Sequence, residues 1–377
     1  MRSSACGEKQ SGIQIFKIYN SPAKSSAYYD NKEFCALCIL CGEFCIELKL
    51  SKIVLGGFMR TCLVTGGAGF IGSHIADRLI EAGYRVVIID NESTGLKENV
   101  NPQAIYLKGD ITRPNDLKKA FSFGIDAVFH IAGQASTIRS FNNPLNDLIV
   151  NVIGTLNILR MCLKYKVPRL MYASSMTVYG HPTRIPVPES EPCKPISYYG
   201  ITKFAAERYI HATAERVDLG FDFHVTSFRM FNVYGERQSL ENPYQGVVGI
   251  FIGNVLRGEP ITIYSDGEQS RDFVYIQDVV EAWMAALDNE AAYEQVFNLG
   301  TGIQRSINEL VDVILRAFGH SRKTYPIRYA PVRPGDQRYM AADITKAAQT
   351  LGWHPTTAFN DGMERTIRWA AARWRRD

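Results

Sequence analysis

The chain has no marked excess of either charge: across 377 residues, 42 Lys and Arg stand against 38 Asp and Glu, a net charge of +4. No basic stripe interleaved with aromatics appears, so nucleic acid is not an expected partner. Histidine is scarce, and the seven present have no metal-ligand spacing, so no metal is expected. The overall composition indicates neither a membrane protein nor a wholly disordered chain. Residues 1–58 show neither an arginine-rich transit pattern nor a signal peptide, and their apolar runs are too short to cross a bilayer. The expected location is therefore cytoplasmic. The one concentration of cations, Arg365, Arg368, Arg373, Arg375 and Arg376 beside Trp369 and Trp374, reads as the solvated end of a last helix.

With 46% hydrophobic and 21% charged residues, the chain can bury a full core. Thr61-Cys62-Leu63-Val64-Thr65 is short, apolar and partly β-branched, the pattern of a buried parallel strand. Gly66, Gly69 and Gly72 follow in G-x-x-G-x-x-G spacing, and Ser73 to Ala82 reads as a helix closed by Gly83. Glycines there let backbone approach a pyrophosphate, whose charge the helix N-terminus favours. The strand Arg85 to Asp90 ends in a carboxylate 18 residues after Gly72. Asp90 is placed to bind adenosine ribose hydroxyls and to repel a 2'-phosphate, which favours NAD over NADP. Further strands at Ala104 to Leu107, Ala127 to His130 and Arg169 to Ser175 alternate with helical stretches such as Asn151 to Lys164. That alternation predicts an α/β fold: a Rossmann-type, doubly wound parallel sheet with ligands beyond the strands' carboxyl ends. Asp110, Ala132, Gly133, Ser174 and Ser175 all fall there.

Tyr199 and Lys203 lie one helical turn apart and so share a helix face, with Ser175 24 residues upstream of the tyrosine. A tyrosine of ordinary pKa becomes a base at neutral pH only if nearby cations lower that value by about 3 units. Lys203 and an oxidised nicotinamide are two such cations.

These segments, with T-G-G-A-G-F-I-G at Thr65 to Gly72, H-I-A-G at His130 to Gly133, S-S-M-T-V-Y-G at Ser174 to Gly180 and Y-G-I-T-K at Tyr199 to Lys203, resemble the extended short-chain dehydrogenase/reductase family. R-M-F-N-V-Y-G at Arg229 to Gly235, R-D-F-V at Arg271 to Val274 and R-P-G-D at Arg333 to Asp336 place the resemblance in its nucleotide-sugar epimerase and dehydratase branch, over about Met59 to Trp369. The resemblance implies that Ser175 hydrogen-bonds the reacting sugar hydroxyl, Tyr199 is the acid/base, and Lys203 holds the nicotinamide ribose. It implies cofactor contacts from Gly66, Gly69, Phe70, Ile71, Gly72, Asp90, Asn91, Asp110, Ile111, Ala132, Gly133, Asn151 and Ser174. Asn232, Arg271, Arg333 and Asp336 would hold a nucleotide diphosphate, and Met340 would face the sugar's 2-substituent. It also implies an NAD-binding domain over 59–235, to which segments near 270–300 return, and a smaller C-terminal α/β substrate lobe over 236–377. A homodimer is expected.

Related 4,6-dehydratases carry an Asp-Glu pair directly after the central Ser or Thr; here Met176 and Thr177 stand there, and neither exchanges a proton. Decarboxylating relatives usually carry an acidic residue between the Tyr and Lys, where this chain has Gly200, Ile201 and Thr202. An NAD-dependent epimerase acting at C4 of a UDP-hexose is the expectation. A dehydratase or ketoreductase is the enzymatic alternative and a non-catalytic NAD-binding regulator the third, which the intact Ser175, Tyr199 and Lys203 disfavour. If Met340 yields to an acetamido group, UDP-N-acetylglucosamine is a second substrate. Ser136, Thr137 and Arg139 would suit a uronate.

Residues 1–58 stand outside the family pattern and are expected to be poorly ordered. Cys35, Cys38, Cys41 and Cys45 have the spacing of bacterial iron–sulfur ligands, but the usual following proline and a second cluster are missing, so neither a cluster nor a disulfide is expected. Cys62, Cys162 and Cys193 read as ordinary thiols, two of them buried. Deleting residues 1–58 should leave thermal stability and turnover unchanged. Loss of soluble protein, or stoichiometric iron after anaerobic purification of the full chain, would refute this reading.

Overall fold

The computed structural model describes residues 59–375 apart from Gln245. The cysteine run from Cys35 to Cys45 and Arg376 lie outside the described residues.

Strands β1 (Thr61–Thr65), β2 (Arg85–Asp90), β3 (Ile105–Lys108), β4 (Ala127–His130), β5 (Arg169–Ser175) and β6 (His224–Met230) pair in parallel. A further parallel strand, Gln295–Leu299, extends the sheet beyond β6, giving the order Gln295–Leu299, β6, β5, β4, β1, β2, β3. The order reverses between β1 and β4, and such a switch point is where open α/β sheets bind ligands.

Successive side chains alternate between two apolar clusters. Cys62, Val64, Val86, Ile88 and Phe129 face one, while Leu63, Val87, Ile89 and Val128 face the other. A sheet apolar on both faces needs helices on both. On the first face, α1 (Phe70–Glu81) contributes Ile75 and Leu79, and helix Ile276–Leu287 contributes Trp283. On the second, α2 (Pro114–Phe121), α5 (Gly154–Tyr165) and α6 (Tyr198–Ala214) contribute Leu117, Phe121, Ile158, Cys162, Ala206 and Ile210. Cys62 and Cys162 are buried free thiols, as expected, and Cys193 is partly exposed. Beyond the sheet, short strand pairs join Ile261–Tyr264 to Ile327–Ala330 and Ser270–Arg271 to Arg305–Ser306.

Two element boundaries differ from expectation. α1 begins at Phe70, not Ser73, because Gly69 takes the extended N-cap conformation at once. The single helix expected over 151–164 begins earlier and changes pitch: α3 (Thr137–Asn142), then α4 (Pro144–Leu148), a π-helical turn Ile149–Ile153, then α5. Pro144 is preset for a first helical position, and the Asn143 side chain caps the turn by accepting from the Asn146 amide at 3.0 Å. The wide turn carries Asn151 inward, 2% exposed, and π turns of this kind recur at functional sites.

One ion pair ties the carboxyl ends of β5 and β6 to α6. The Arg229 guanidinium donates to both Glu207 oxygens at 2.6 and 3.2 Å, and Ser174 donates to the same carboxylate at 2.6 Å. Both side chains are buried. Removing one partner of such a pair strands the other charge away from water, so Arg229→Met should cost about 3–5 kcal/mol. Urea unfolding at fixed cofactor concentration measures it; a loss below about 1 kcal/mol, the range of an exposed pair, would show that Glu207 is solvated.

Candidate active site

The turn after β1 is shaped for close backbone approach. Gly66 has φ +72, and a Cβ there would lie 2.9 Å from Ala132 backbone; one on Gly72 would lie 2.2 Å from the Gly66 carbonyl oxygen. No side chain caps α1, which leaves the first-turn amides of Phe70, Ile71 and Gly72 for an anion. Asp90 ends β2 with one oxygen accepting from the Ala68 amide at 3.0 Å and the other from Glu92 at 2.7 Å. Asn91 donates to Asp110 at 2.9 Å, closing the neighbouring edge. A glycine cradle, a free helix N-terminus and a carboxylate at the end of β2 form the donor and acceptor set that a dinucleotide requires, so the site fits NAD. Ile111 offers backbone only, since its side chain is in the core against Gly154.

Ser175, Tyr199 and Lys203 come together where β5 meets α6. Ser175 Oγ accepts from the Thr177 amide at 3.3 Å and from the Thr177 hydroxyl at 3.0 Å. Lys203 is 5% exposed, and its Nζ lies over the Tyr172 ring, 4.4 Å from the centroid. Burial drives the pKa values: it pushes Lys203 down to about 7 against the nearby Asp147 and Glu207 charges, and Tyr199 up to about 12 against its hydrogen bond with Ser175. In the protein by itself the Tyr199 pKa is raised and not lowered as expected, because desolvation outweighs the hydrogen bond with Ser175. His130 sits between the hydroxyls of Thr65 and Thr155 at 2.8 and 2.9 Å and is pushed by burial and then Lys203 to about 3, so it stays neutral and structural.

The Asn151 side chain is engaged by protein groups at both of its polar atoms. Its Oδ1 accepts from the Gln134 amide at 2.8 Å, and its Nδ2 donates toward Gln134 O, Asp147 and Thr202 at 3.1, 3.2 and 3.2 Å. These bonds fit a positioning role for Asn151. Any side chain at Gly133 would crowd it, since a Cβ there falls 2.9 Å from Asn151 Oδ1 and 3.8 Å from Lys203 Nζ. Ser174 likewise points to Glu207 at 2.6 Å.

A cavity of about 420 Å³ is lined by Ser136, Thr137, Asn232, Tyr264, Arg271, Arg333 and Asp336 among others, while Ser175, Tyr199 and Lys203 are not among its lining residues. Arg271 is fixed by the Ser270 and Gln337 carbonyls at 2.8 and 2.7 Å and by an ion pair with Asp336. Arg333 stacks on Tyr264. Asn232 Oδ1 is buried without a partner. The loop at Gly335 packs on the α6 N-terminus, where a Cβ would lie 3.1 Å from Ser197, two residues before Tyr199. Arg139, the cation considered for a uronate, stacks on Tyr244, 5.0 Å from its centroid. Met340 departs from expectation: it is 0% exposed, packed with Met176, Val178, Tyr179, Val187 and Phe231, and does not line the cavity. Sequence reasoning missed the hydrogen bonds of Thr177 to nearby Ser175, and it missed Asp147 and Glu207, whose partners Thr202, Ser174 and Arg229 are distant in sequence.

Residues 62–300 match the model of the "NAD dependent epimerase/dehydratase family". A UDP-glucose 4-epimerase of Mycolicibacterium smegmatis is 36% identical over 82% of this chain and 97% of its own. The UDP-glucose 4-epimerase of Thermotoga maritima, solved with UDP-glucose, is 39% identical, with TM-score 0.78 over 83% of this chain and 99% of its own. That of Thermus thermophilus, solved with NAD, is 35% identical, with TM-score 0.76 over 82% and 98%.

The Lys203 values carry a stability consequence. An unfolded lysine holds its proton to about pH 10.4, whereas the folded amine releases it near 7. Between those values the unfolded chain binds more protons, so folded stability rises with pH. In cofactor-free protein, the melting temperature of wild type relative to Lys203→Met should rise from pH 7 to 9. A flat difference would show that the amine is hydrated.

Proposed function

The chain belongs to the NAD dependent epimerase/dehydratase family, and from that premise we propose that it interconverts UDP-hexoses at C4 as an NAD-dependent epimerase. The observation that carries this is the pairing of Ser175, Tyr199 and Lys203 with an arginine-lined cavity while the positions that drive elimination are spent. Met176 is buried among apolar side chains, and the Thr177 hydroxyl is committed to Ser175. Neither of these two positions offers an acid or a base to expel water from a 4-keto sugar, so reduction back to an alcohol is the open route.

When bound, NAD supplies an acceptor that takes up the C4 hydride and later gives it back, and a positive nicotinamide whose charge favours a phenolate. Tyr199 takes the proton of the sugar 4-hydroxyl and returns it at the end. Ser175, oriented by Thr177, hydrogen-bonds the same hydroxyl. Lys203 holds the ribose and adds positive charge beside Tyr199. Arg271 and Arg333 grip the diphosphate, for which guanidinium forks are suited, and Asn232 adds a neutral contact. With the diphosphate held, the ketosugar turns over and presents its other face.

This reading includes a cytoplasmic homodimer. Leu145, Leu148, Ile149 and Ile153 are exposed on α4 and the π turn, beside exposed Tyr198, Ile201 and Tyr209 of α6. That apolar face suits a second copy. The stretch Pro144–Tyr165 is also long and apolar enough to cross a membrane, but half of it is buried in the protein.

Incubation with UDP-glucose, UDP-N-acetylglucosamine or UDP-glucuronate, without added NADH, should give the C4 epimer of at least one and no 4-keto-6-deoxy product. Tyr199→Phe should lower kcat by about 10²–10⁴-fold with NAD still bound. Turnover within tenfold of wild type would sink the assignment of the acid/base.

A further inference from the structure

Asp147 lies four residues before Asn151, at the end of the short α4, and is 0% exposed. A buried carboxylate is expensive unless its oxygens are satisfied, and here both are. Oδ1 accepts from Gln134 Nε2 at 2.6 Å and from Asn151 Nδ2 at 3.2 Å, and Oδ2 accepts from the Thr202 hydroxyl at 2.6 Å. Three donors converge on an acceptor that has no paired cation among the described residues within salt-bridge distance. The donors come from three places: the loop after β4, the π turn, and the residue immediately before Lys203. Thr202 Oγ1 also lies 3.1 Å from the Tyr199 carbonyl, so the same hydroxyl touches the turn that carries the tyrosine.

The charges around Lys203 can be counted element by element. From β4 comes His130, which is neutral, and from β5 the Tyr172 ring. Its own helix supplies Tyr199 and Glu207, and the Glu207 charge is already matched by Arg229. From α4 comes Asp147, the negative charge in this set that no arginine offsets.

We propose that Asp147 is a positioning residue: its carboxylate fastens the Tyr199–Lys203 turn of α6 to the β4 loop and acts as the counter-charge that keeps the Lys203 amine protonated. The inference rests on Lys203 working as a cation in the epimerase reading. Burial sets the amine close to neutrality, where a small change in field decides its charge. Removing a nearby opposite charge shifts such a group by about one pH unit or more, roughly tenfold in proton affinity. A group that is half protonated then becomes about one-tenth protonated.

The test is Asp147→Asn, which keeps size and some hydrogen bonding but removes the charge. The Lys203 side chain is followed by the ¹³Cε resonance of labelled lysine, assigned by its loss in Lys203→Met, over a pH titration of the full chain. The midpoint should fall by about one unit relative to wild type, and the alkaline limb of kcat against pH should move the same way. Thr202→Val, which keeps the carboxylate and removes one of its donors, should leave the midpoint within about 0.3 unit, well short of the shift that losing a neighbouring charge produces. An unchanged midpoint in Asp147→Asn, or an equal shift in Thr202→Val, overturns the proposal, because either result reduces Asp147 to a packing role. Should Asp147→Asn fail to fold, Asp147→Ser, smaller and also neutral, gives the same titration. The lysine midpoint needs no substrate. A wild type that epimerises no UDP-hexose, with the midpoint shifted as expected, would defeat the epimerase reading and leave the Asp147 assignment standing.

Discussion

Taking one lysine amine out of water is the constraint around which this site is organised. An ammonium group loses several kcal/mol on leaving water unless the protein replaces its hydration. The replacements at Lys203 are an aromatic face from β5 and the nearby Asp147 and Glu207 carboxylates. Each comes from a different element, so the sheet, α4 and α6 must all be in register before the amine is accommodated. The Glu207–Arg229 pair fixes α6 to β5 and β6, while the Asp147 hydrogen bonds fix it to the β4 loop. Stability and chemistry therefore draw on the same contacts.

Most of the sheet was legible because parallel strands buried on both faces are written as short apolar runs with helices between. β1, β2, β4 and β5 stand where their sequences place them. The glycine turn was legible for a related reason: Gly66 and Gly72 are required by close approaches within a few residues or to one adjacent strand end. What depends on long-range contact was not. Nothing local in Ile149–Ile153 announces a π turn, which goes with hydrogen bonds from Asn151 to Gln134 and Thr202. Asp147 reads as one more polar residue in a surface helix until Thr202, 55 positions away, is seen to donate to it. Met340 shows the opposite failure: motif spacing brought it to the sugar, but Val178, Val187 and Phe231 enclose it.

The phenol illustrates why residue types alone do not give chemistry. Tyr-x-x-x-Lys spacing states that a cation and a phenol share a helix face, and the inference of a lowered pKa follows if both keep their solvation. In the folded chain neither does. Burial costs the phenolate and the ammonium alike, raising one pKa and lowering the other. In the proposed reaction, a phenol desolvated in this way would stay protonated until further positive charge arrives.

The division of labour between the two halves of the site also bears on inversion. The proposed acid/base group stands on α6 and β5, whereas Arg271 and Arg333 line the cavity, each fixed by its own partners. An epimerase must hold its substrate firmly enough to align C4 and loosely enough for the ketosugar to turn. In the proposed reaction, concentrating charge at the diphosphate end would meet both demands, because guanidinium bonds there would anchor one end without restraining rotation at the other. Extra polar contacts to the sugar would favour one face and slow the return step from the other. Thr177 fits that logic: its hydroxyl is spent on orienting Ser175, so it steadies the catalytic group without adding a grip on the ring.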